Sequence, residues 1–315
     1  SSDTFPAPPP NIGDDTDNIT RDNTPTFNGA NGSSEANGLV TVLSKNLSTN
    51  AMLTLGTAPV NSLGGWTFTV ATGSAALTGP LADGRYSITY DNTDIACNVS
   101  MPSSAPLTPL VIDTTVVAPS NPDLTDASDT CDPPGSVAPA PCDRGTHVDN
   151  ITRTNTPSFT GTAEALGRVE LFAGSLSLGI AAVVGNDASD GNPTDGKGAW
   201  TFTTNWASIL PIDGTYTITG RTTDQAGNTS SASVPGLAVT IDRTKPPAPT
   251  TPDLLSSSDT GSSNTDNITR GNSPAFSGIV TLTGTADIAT TVRIFNNGTC
   301  TGPALGQTTP AANRN

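Results

Sequence analysis

Little in this sequence carries charge or an aromatic ring, and each shortage narrows what the chain can do. Aromatic residues make up 4% and charged residues 13% of the 315 positions, a composition that disfavours packed helices. Lys and Arg number 13 against 28 Asp and Glu, a formal net charge of −15. Nucleic acid and anionic membrane would be repelled, and multivalent cations are the natural counter-partner. No apolar run approaches the roughly 20 residues that cross a bilayer, so no membrane insertion is expected in this segment. The sequence starts without Met or a signal peptide, which predicts a mature product or an excised segment. The single histidine, His147, stands two residues before Asp149 in a loop and is read as solvated rather than as a catalytic base. Asp residues are plentiful, yet they gather where the sequence repeats, and an active site would not need copying. No enzyme is expected.

Cysteine is also scarce. Four residues are too few for a disulfide scaffold, and none has zinc-ligand spacing with a neighbouring His. Cys131 and Cys142 bracket a Pro-rich insertion and are predicted to form a disulfide closing a loop of about a dozen residues, in an oxidising compartment. Cys97 and Cys300 have no evident partner.

Gly and Pro, at 31 and 27 residues, are abundant, which favours short strands and frequent turns. The chain also repeats itself at long period, the signal to be read first. TDNITRDNTPTF from Thr16, VDNITRTNTPSF from Val148 and TDNITRGNSPAF from Thr265 align. GGWTFTV at Gly64 then matches GAWTFTT at Gly198, ADGRYSIT at Ala82 matches IDGTYTIT at Ile212, and LVIDTT at Leu110 matches VTIDRT at Val239. Each block alternates with period two: Trp66, Phe68 and Val70 against threonines, then Tyr86, Ile88 and Tyr90, with Trp200, Phe202, Tyr216, Ile218, Leu237, Val239 and Ile241 repeating the arrangement. One sheet cannot bury such a face alone, so two must pack. Asp83-Gly84, Asp213-Gly214 and Ala226-Gly227-Asn228 mark tight turns. The fold class expected is all-β: tandem immunoglobulin-like antiparallel β-sandwich domains in an extended string. The boundaries are 1–116, 117–245 with the Cys131–Cys142 insertion, and an incomplete third repeat over 246–315, which stops before any WTFT or DGTY block. The first repeat departs from the second in having YDNTDIACNVS from Tyr90 and no Ala-Gly-Asn turn.

These motifs resemble the bacterial immunoglobulin-like repeats of giant cell-surface adhesins and biofilm-associated proteins, over nearly the whole chain. Tyr86 and Tyr216 resemble the tyrosine corner of immunoglobulin sandwiches, although the inter-sheet disulfide of antibody domains is missing. The resemblance implies a secreted or cell-surface location, extracellular spacing and adhesion, and Ca2+ at the domain junctions. The candidate metal ligands are Asp14, Asp15, Asp17, Asp113, Asp123, Asp126, Asp129, Asp149, Asp242, Asp253, Asp259 and Asp266. Carboxylates gathered without matching cations repel one another, and a hard cation taking six to eight oxygens relieves this. The same residues also suit Asx-turns on a solvated surface. Asn18, Asn150 and Asn267 match a glycosylation sequon but are read as strand starts, with Ile19, Ile151 and Ile268 packing inward. Trp66 and Trp200 are read as core. The function expected is a calcium-stiffened spacer of a bacterial surface adhesin or matrix fibre. Its partners are other copies or repeats of the same protein and a host or matrix surface. The alternatives are a self-assembling filament subunit whose third domain a neighbouring chain completes, and a carbohydrate-binding module.

Overall fold

A computed structural model describes residues 17–71, 78–103, 109–130, 149–181, 184–210, 212–281 and 290–308. The predicted Cys131–Cys142 disulfide, His147, Asp14 and Asp15 lie outside the described residues.

The alternating blocks form strands as the sequence leads one to expect. The first unit holds β1 (Ile19–Thr20), β2 (Thr26–Gly29), β3 (Leu39–Asn46), β4 (Met52–Pro59), β5 (Trp66–Thr69), β6 (Gly84–Thr93) and β7 (Leu110–Ile112). They make a five-stranded sheet, β1-β7-β6-β3-β4, facing the pair β2-β5. The second unit repeats this plan with β8 (Asp123–Leu124), β9 (Ile151–Thr152), β10 (Ser158–Glu164), β11 (Arg168–Ala173), β12 (Leu176–Ile180), β13 (Lys197–Thr203), β14 (Gly214–Thr223) and β15 (Leu237–Ile241). Its sheets are β12-β11-β14-β15-β9 and β13-β10-β8. Pairing is antiparallel except that the DNIT strand runs parallel to the closing strand in both units, β1 with β7 and β9 with β15. The architecture is all-β, two immunoglobulin-like sandwiches in tandem.

The cores sit between the sheets. Trp66, Phe68 and Val70 of the first unit and Phe159, Trp200, Ile218, Val239 and Ile241 of the second are buried, while the intervening threonines face out. Both tyrosine corners are present: the hydroxyl of Tyr86 donates to the Ala82 carbonyl at 2.8 Å, and that of Tyr216 to Ile212 at 2.8 Å. The one helical turn among the described residues, α1 (Trp206–Ile209), had no periodic signature. It places Trp206, fully buried, 5.5 Å from the Phe159 ring.

Two expectations are corrected. The DNIT isoleucines are not the inward residues. Thr20 and Thr152 are buried, whereas Ile19 and Ile151 are half-buried and Ile268 is 61% exposed. The cause is the preceding Asn, held left-handed in all three repeats (φ 60° at Asn18, 59° at Asn150, 60° at Asn267). Asn tolerates that conformation, and it shifts the alternation by one residue. The first unit, moreover, does have the turn of the second. Asp94 N–H donates to Asn98 O and Cys97 N–H to Asp94 O, as Asp224 N–H does to Asn228 O and Gly227 N–H to Asp224 O. Cys97 (φ 70°) stands where Gly227 (φ 83°) does.

The third unit shows β16 (Asp253–Leu254) paired with β17 (Phe276–Ser277), and β18 (Val292–Ile294) paired with β19 (Gly306–Thr308). Leu254 opposes Phe276 as Leu124 opposes Phe159, so this pair corresponds to β8 and β10.

Candidate carboxylate site at the first junction

The segment leaving β7 is fixed by hydrogen bonds before it reaches the second unit. Asp83 accepts the N–H of Thr114 at 3.0 Å and its hydroxyl at 2.8 Å. Asp213 does the same at the end of β15, accepting from the N–H groups of Arg243 and Thr244 at 2.9 and 3.1 Å and pairing with the Arg243 guanidinium at 3.4 Å. In both units, therefore, the Asp-Gly turn before the tyrosine strand clamps the exit of the last strand.

That exit places Asp113 against the second unit. The Asn228 amide donates to the Asp113 carbonyl at 2.9 Å, Arg21 Nη1 donates to the Gly227 carbonyl at 2.8 Å, and the Val117 N–H donates to Glu164 Oε2 at 3.3 Å. The result is a convergence of three carboxylates, Asp113 from the first unit and Glu164 and Asp224 from the second, with one ligand oxygen of each within 4.8 Å of the others. Asp224 is 2% exposed, and both its oxygens are held by Asn228, from the backbone N–H at 2.8 Å and the side-chain amide at 2.7 Å.

Burial is the main force raising the proton affinity of all three. For Asp113 the Thr115 N–H opposes it and the Asp83 charge adds to it. For Glu164 the Val117 N–H opposes it, and the Asp224 and Asp113 charges add to it. For Asp224 the Asn228 bonds oppose it and the Asp113 charge adds to it. Desolvated like charges are costly unless a proton or a cation joins them.

The other candidate ligands are placed in three ways: in pairs with a buried aspartate, in Asx-turns, or exposed on the surface. Asp129 adjoins Asp149 and Asp259 adjoins Asp266, a buried aspartate beside the aspartate of the DNIT motif in each case. Asp129 Oδ2 accepts the Asn150 N–H at 3.0 Å and Asp259 Oδ2 accepts the Asn267 N–H at 3.1 Å. Burial raises the Asp129 carboxyl, whereas Asp266 is lowered by the Ile268 N–H. Asp17, Asp149, Asp242 and Asp266 each accept the N–H two residues on, at 2.9 to 3.1 Å, which is the Asx-turn geometry. Asp123, Asp126 and Asp253 are exposed and lie outside the one group of three ligand residues found among the described residues. Of that group sequence reasoning reached only Asp113. Glu164 and Asp224 were missed, although Glu-Ala-x-Gly (Glu35, Glu164) and Asp-x3-Asn (Asp94, Asp224) recur in both repeats.

The family profile described as Bacterial Ig-like domain matches residues 12–114 and 130–243. Domains of this kind are typically non-enzymatic structural modules of extracellular or surface proteins. No curated protein matches the chain. Among solved structures, the fibronectin(III)-like modules of Clostridium thermocellum CbhA are similar to it with a TM-score of 0.29 and 12% identity. That match covers 74% of this chain and 90% of that one, and a likeness so slight carries no argument.

Proposed function

Given that the chain belongs to the bacterial Ig-like domain family, we propose that it is an extracellular structural spacer, part of a surface adhesin or matrix fibre, whose first junction is stiffened by calcium. The observation that carries this reading is the convergence of Asp113, Glu164 and Asp224 across the boundary between two sandwiches. Oxygens bound to Ca2+ lie about 2.3–2.6 Å from the ion, so ligands on opposite sides are about 5 Å apart, and the 4.8 Å limit within this group fits. All donors are oxygens, which suits a hard cation. A cation held there would tie the exit of one unit to the loops of the next, adding to the bonds from Arg21, Val117 and Asn228.

All three Trp residues are buried, which disfavours a sugar-binding platform of exposed indoles. The test is a thermal melt of the full chain in calcium and in chelator. A ligand that binds only the folded junction stabilises by about 2.7 kcal/mol at 100 times its Kd. The melting temperature is expected to rise with calcium, and Asp224→Asn or Asp113→Asn is expected to abolish the rise. Identical curves with and without calcium would remove the cation from the account.

A further inference from the structure

Two groups leave the first unit side by side and take hold of one turn of the second. The Asp113 N–H donates to the Thr20 carbonyl at 3.0 Å, because β1 and β7 run parallel with Thr20 beside Ile112. Arg21, the last residue of a DNITR sequence that recurs with Arg153 and Arg270, therefore emerges next to Asp113. The end of the second unit repeats this, the Asp242 N–H donating to the Thr152 carbonyl at 2.9 Å beside Arg153. At the first junction both groups reach the turn from Asp224 to Asn228. Arg21 Nη1 donates to the Gly227 carbonyl at 2.8 Å, and the Asp113 carbonyl accepts from the Asn228 amide at 2.9 Å. An Asn amide carries two N–H groups. Asn228 serves Asp113 of the first unit and, at 2.7 Å, the Asp224 carboxylate of its own, so a single side chain spans the boundary. The first unit contains the same turn, in which Asn98 bonds Asp94 through its backbone N–H and its side-chain amide, both at 2.8 Å. There the Asn98 bonds lower the Asp94 carboxyl, whereas burial outweighs the same bonds at Asp224 and raises it. The turn belongs to both repeats, and the demand for a proton or a cation arises where Asp113 and Glu164 converge on it.

We propose that Arg21 and Asn228 are the positioning residues of the carboxylate site, holding Asp113 against Glu164 and Asp224 before an ion arrives, an inference that rests on the calcium reading of that site. Three like charges push the two units apart. An ion that had to close the junction by itself would bind with an apparent Kd raised in proportion as the closed fraction of chains falls. Arg21 and Asn228 keep that fraction high through bonds to main-chain carbonyls, which leave the carboxylate oxygens of Asp113 and Glu164 to the ion.

The test titrates the full chain with calcium chloride in a calorimeter, well below its melting temperature. Asn228→Ala is expected to weaken calcium binding by about 10- to 100-fold, the usual cost of removing a group that orients metal ligands, and Arg21→Gln by about fivefold or more. The sign separates positioning from charge. Removing the Arg21 cation, or a donor from Asp224, leaves the carboxylates more negative, so a purely electrostatic role would tighten binding in both variants. Asn98→Ala removes the same turn bonds from the first unit. It should lower the melting temperature in chelator as Asn228→Ala does, yet leave the calcium Kd unchanged. Unchanged or tighter binding in Asn228→Ala or in Arg21→Gln would overturn the assignment of that residue, and equal weakening in Asn98→Ala would overturn the proposal as a whole, with calcium at the junction left standing. A wild-type chain that takes up no calcium would overturn both.

Discussion

At Cys97 the first unit departs from its sister in one atom group that matters. A side chain held at φ 70° costs about 1–2 kcal/mol relative to a right-handed conformation, and glycine escapes this while losing about 0.5–1 kcal/mol more in chain entropy on folding. The difference favours glycine, so Cys97→Gly should stabilise the first unit by about 0.5–1 kcal/mol. Amide exchange over β6 should slow while that over β14 stays unchanged. The tyrosine corners move the other way. Tyr216→Phe removes the 2.8 Å bond to the Ile212 carbonyl and should cost the second unit about 1 kcal/mol, read as a shift in its denaturant midpoint. Equal exchange in both strands, or an unmoved midpoint, would show that the turn and the corner are held by their surroundings instead.

Among the strands, Phe27 and Gly29 lie opposite Phe68 and Trp66, and Phe159 and Gly161 opposite Phe202 and Trp200, so that a Gly→Val substitution costs far more at Gly161, under its indole, than at Gly278. Gly161→Val puts methyl groups into the volume of Trp200 and should destabilise the second unit by about 3 kcal/mol or more, because expelling a buried Trp costs about what deleting one does. Among the described residues a Cβ at Gly278 would touch only Thr250, at 3.4 Å, and Gly278→Val should change stability by less than about 0.5 kcal/mol. The strands themselves were legible in the sequence because each has one buried face: the period of two at Trp66-Phe68-Val70 encodes the sandwich directly. Ile19 and Ile151 were misread as the inward residues, in place of Thr20 and Thr152, because a left-handed Asn resets the alternation, and periodicity is blind to the sign of φ. Glu164 and Asp224 were missed for another reason. Glu164 ends β10 and Asp224 opens the turn after β14, positions distant in sequence from Asp113 and from each other, and only folding brings them together, so no spacing rule reports them. The aspartates of the DNIT motifs stood out because they sit in a long block repeated three times, whereas Glu-Ala-x-Gly and Asp-x3-Asn are short and recur twice, and repetition flags a residue whether it turns the chain or binds an ion.

Across the whole molecule, the carboxylates respond to pH in opposite senses. Asp113, Glu164 and Asp224 take up protons more readily when folded. Between their ordinary values, about 3.9 for Asp and 4.3 for Glu, and their raised folded values, the folded chain binds more protons than the unfolded one, and stability rises as pH falls. Asp213 behaves conversely. Burial raises it, but the Arg243 N–H, the Thr244 hydroxyl and the Arg243 guanidinium outweigh that and hold it below its ordinary value. Its contribution is present above about pH 4 and is lost as pH falls through the lowered value. In chelator, then, the melting temperature should hold level or rise as pH drops from neutrality towards the ordinary carboxylate range, while the junction carboxylates protonate, and should fall below about pH 4 as the Asp213 clamp on the exit strand is released. Calcium should reverse the first limb. It occupies the same oxygens as the protons, so its stabilisation is largest near neutrality and shrinks as they compete, and the two curves converge in mild acid. Parallel curves at all pH values would mean that any calcium effect arises elsewhere than at Asp113, Glu164 and Asp224. A chelator curve that fell steadily from pH 7 would mean that the Arg21 and Asn228 bonds already hold the three charges together without strain.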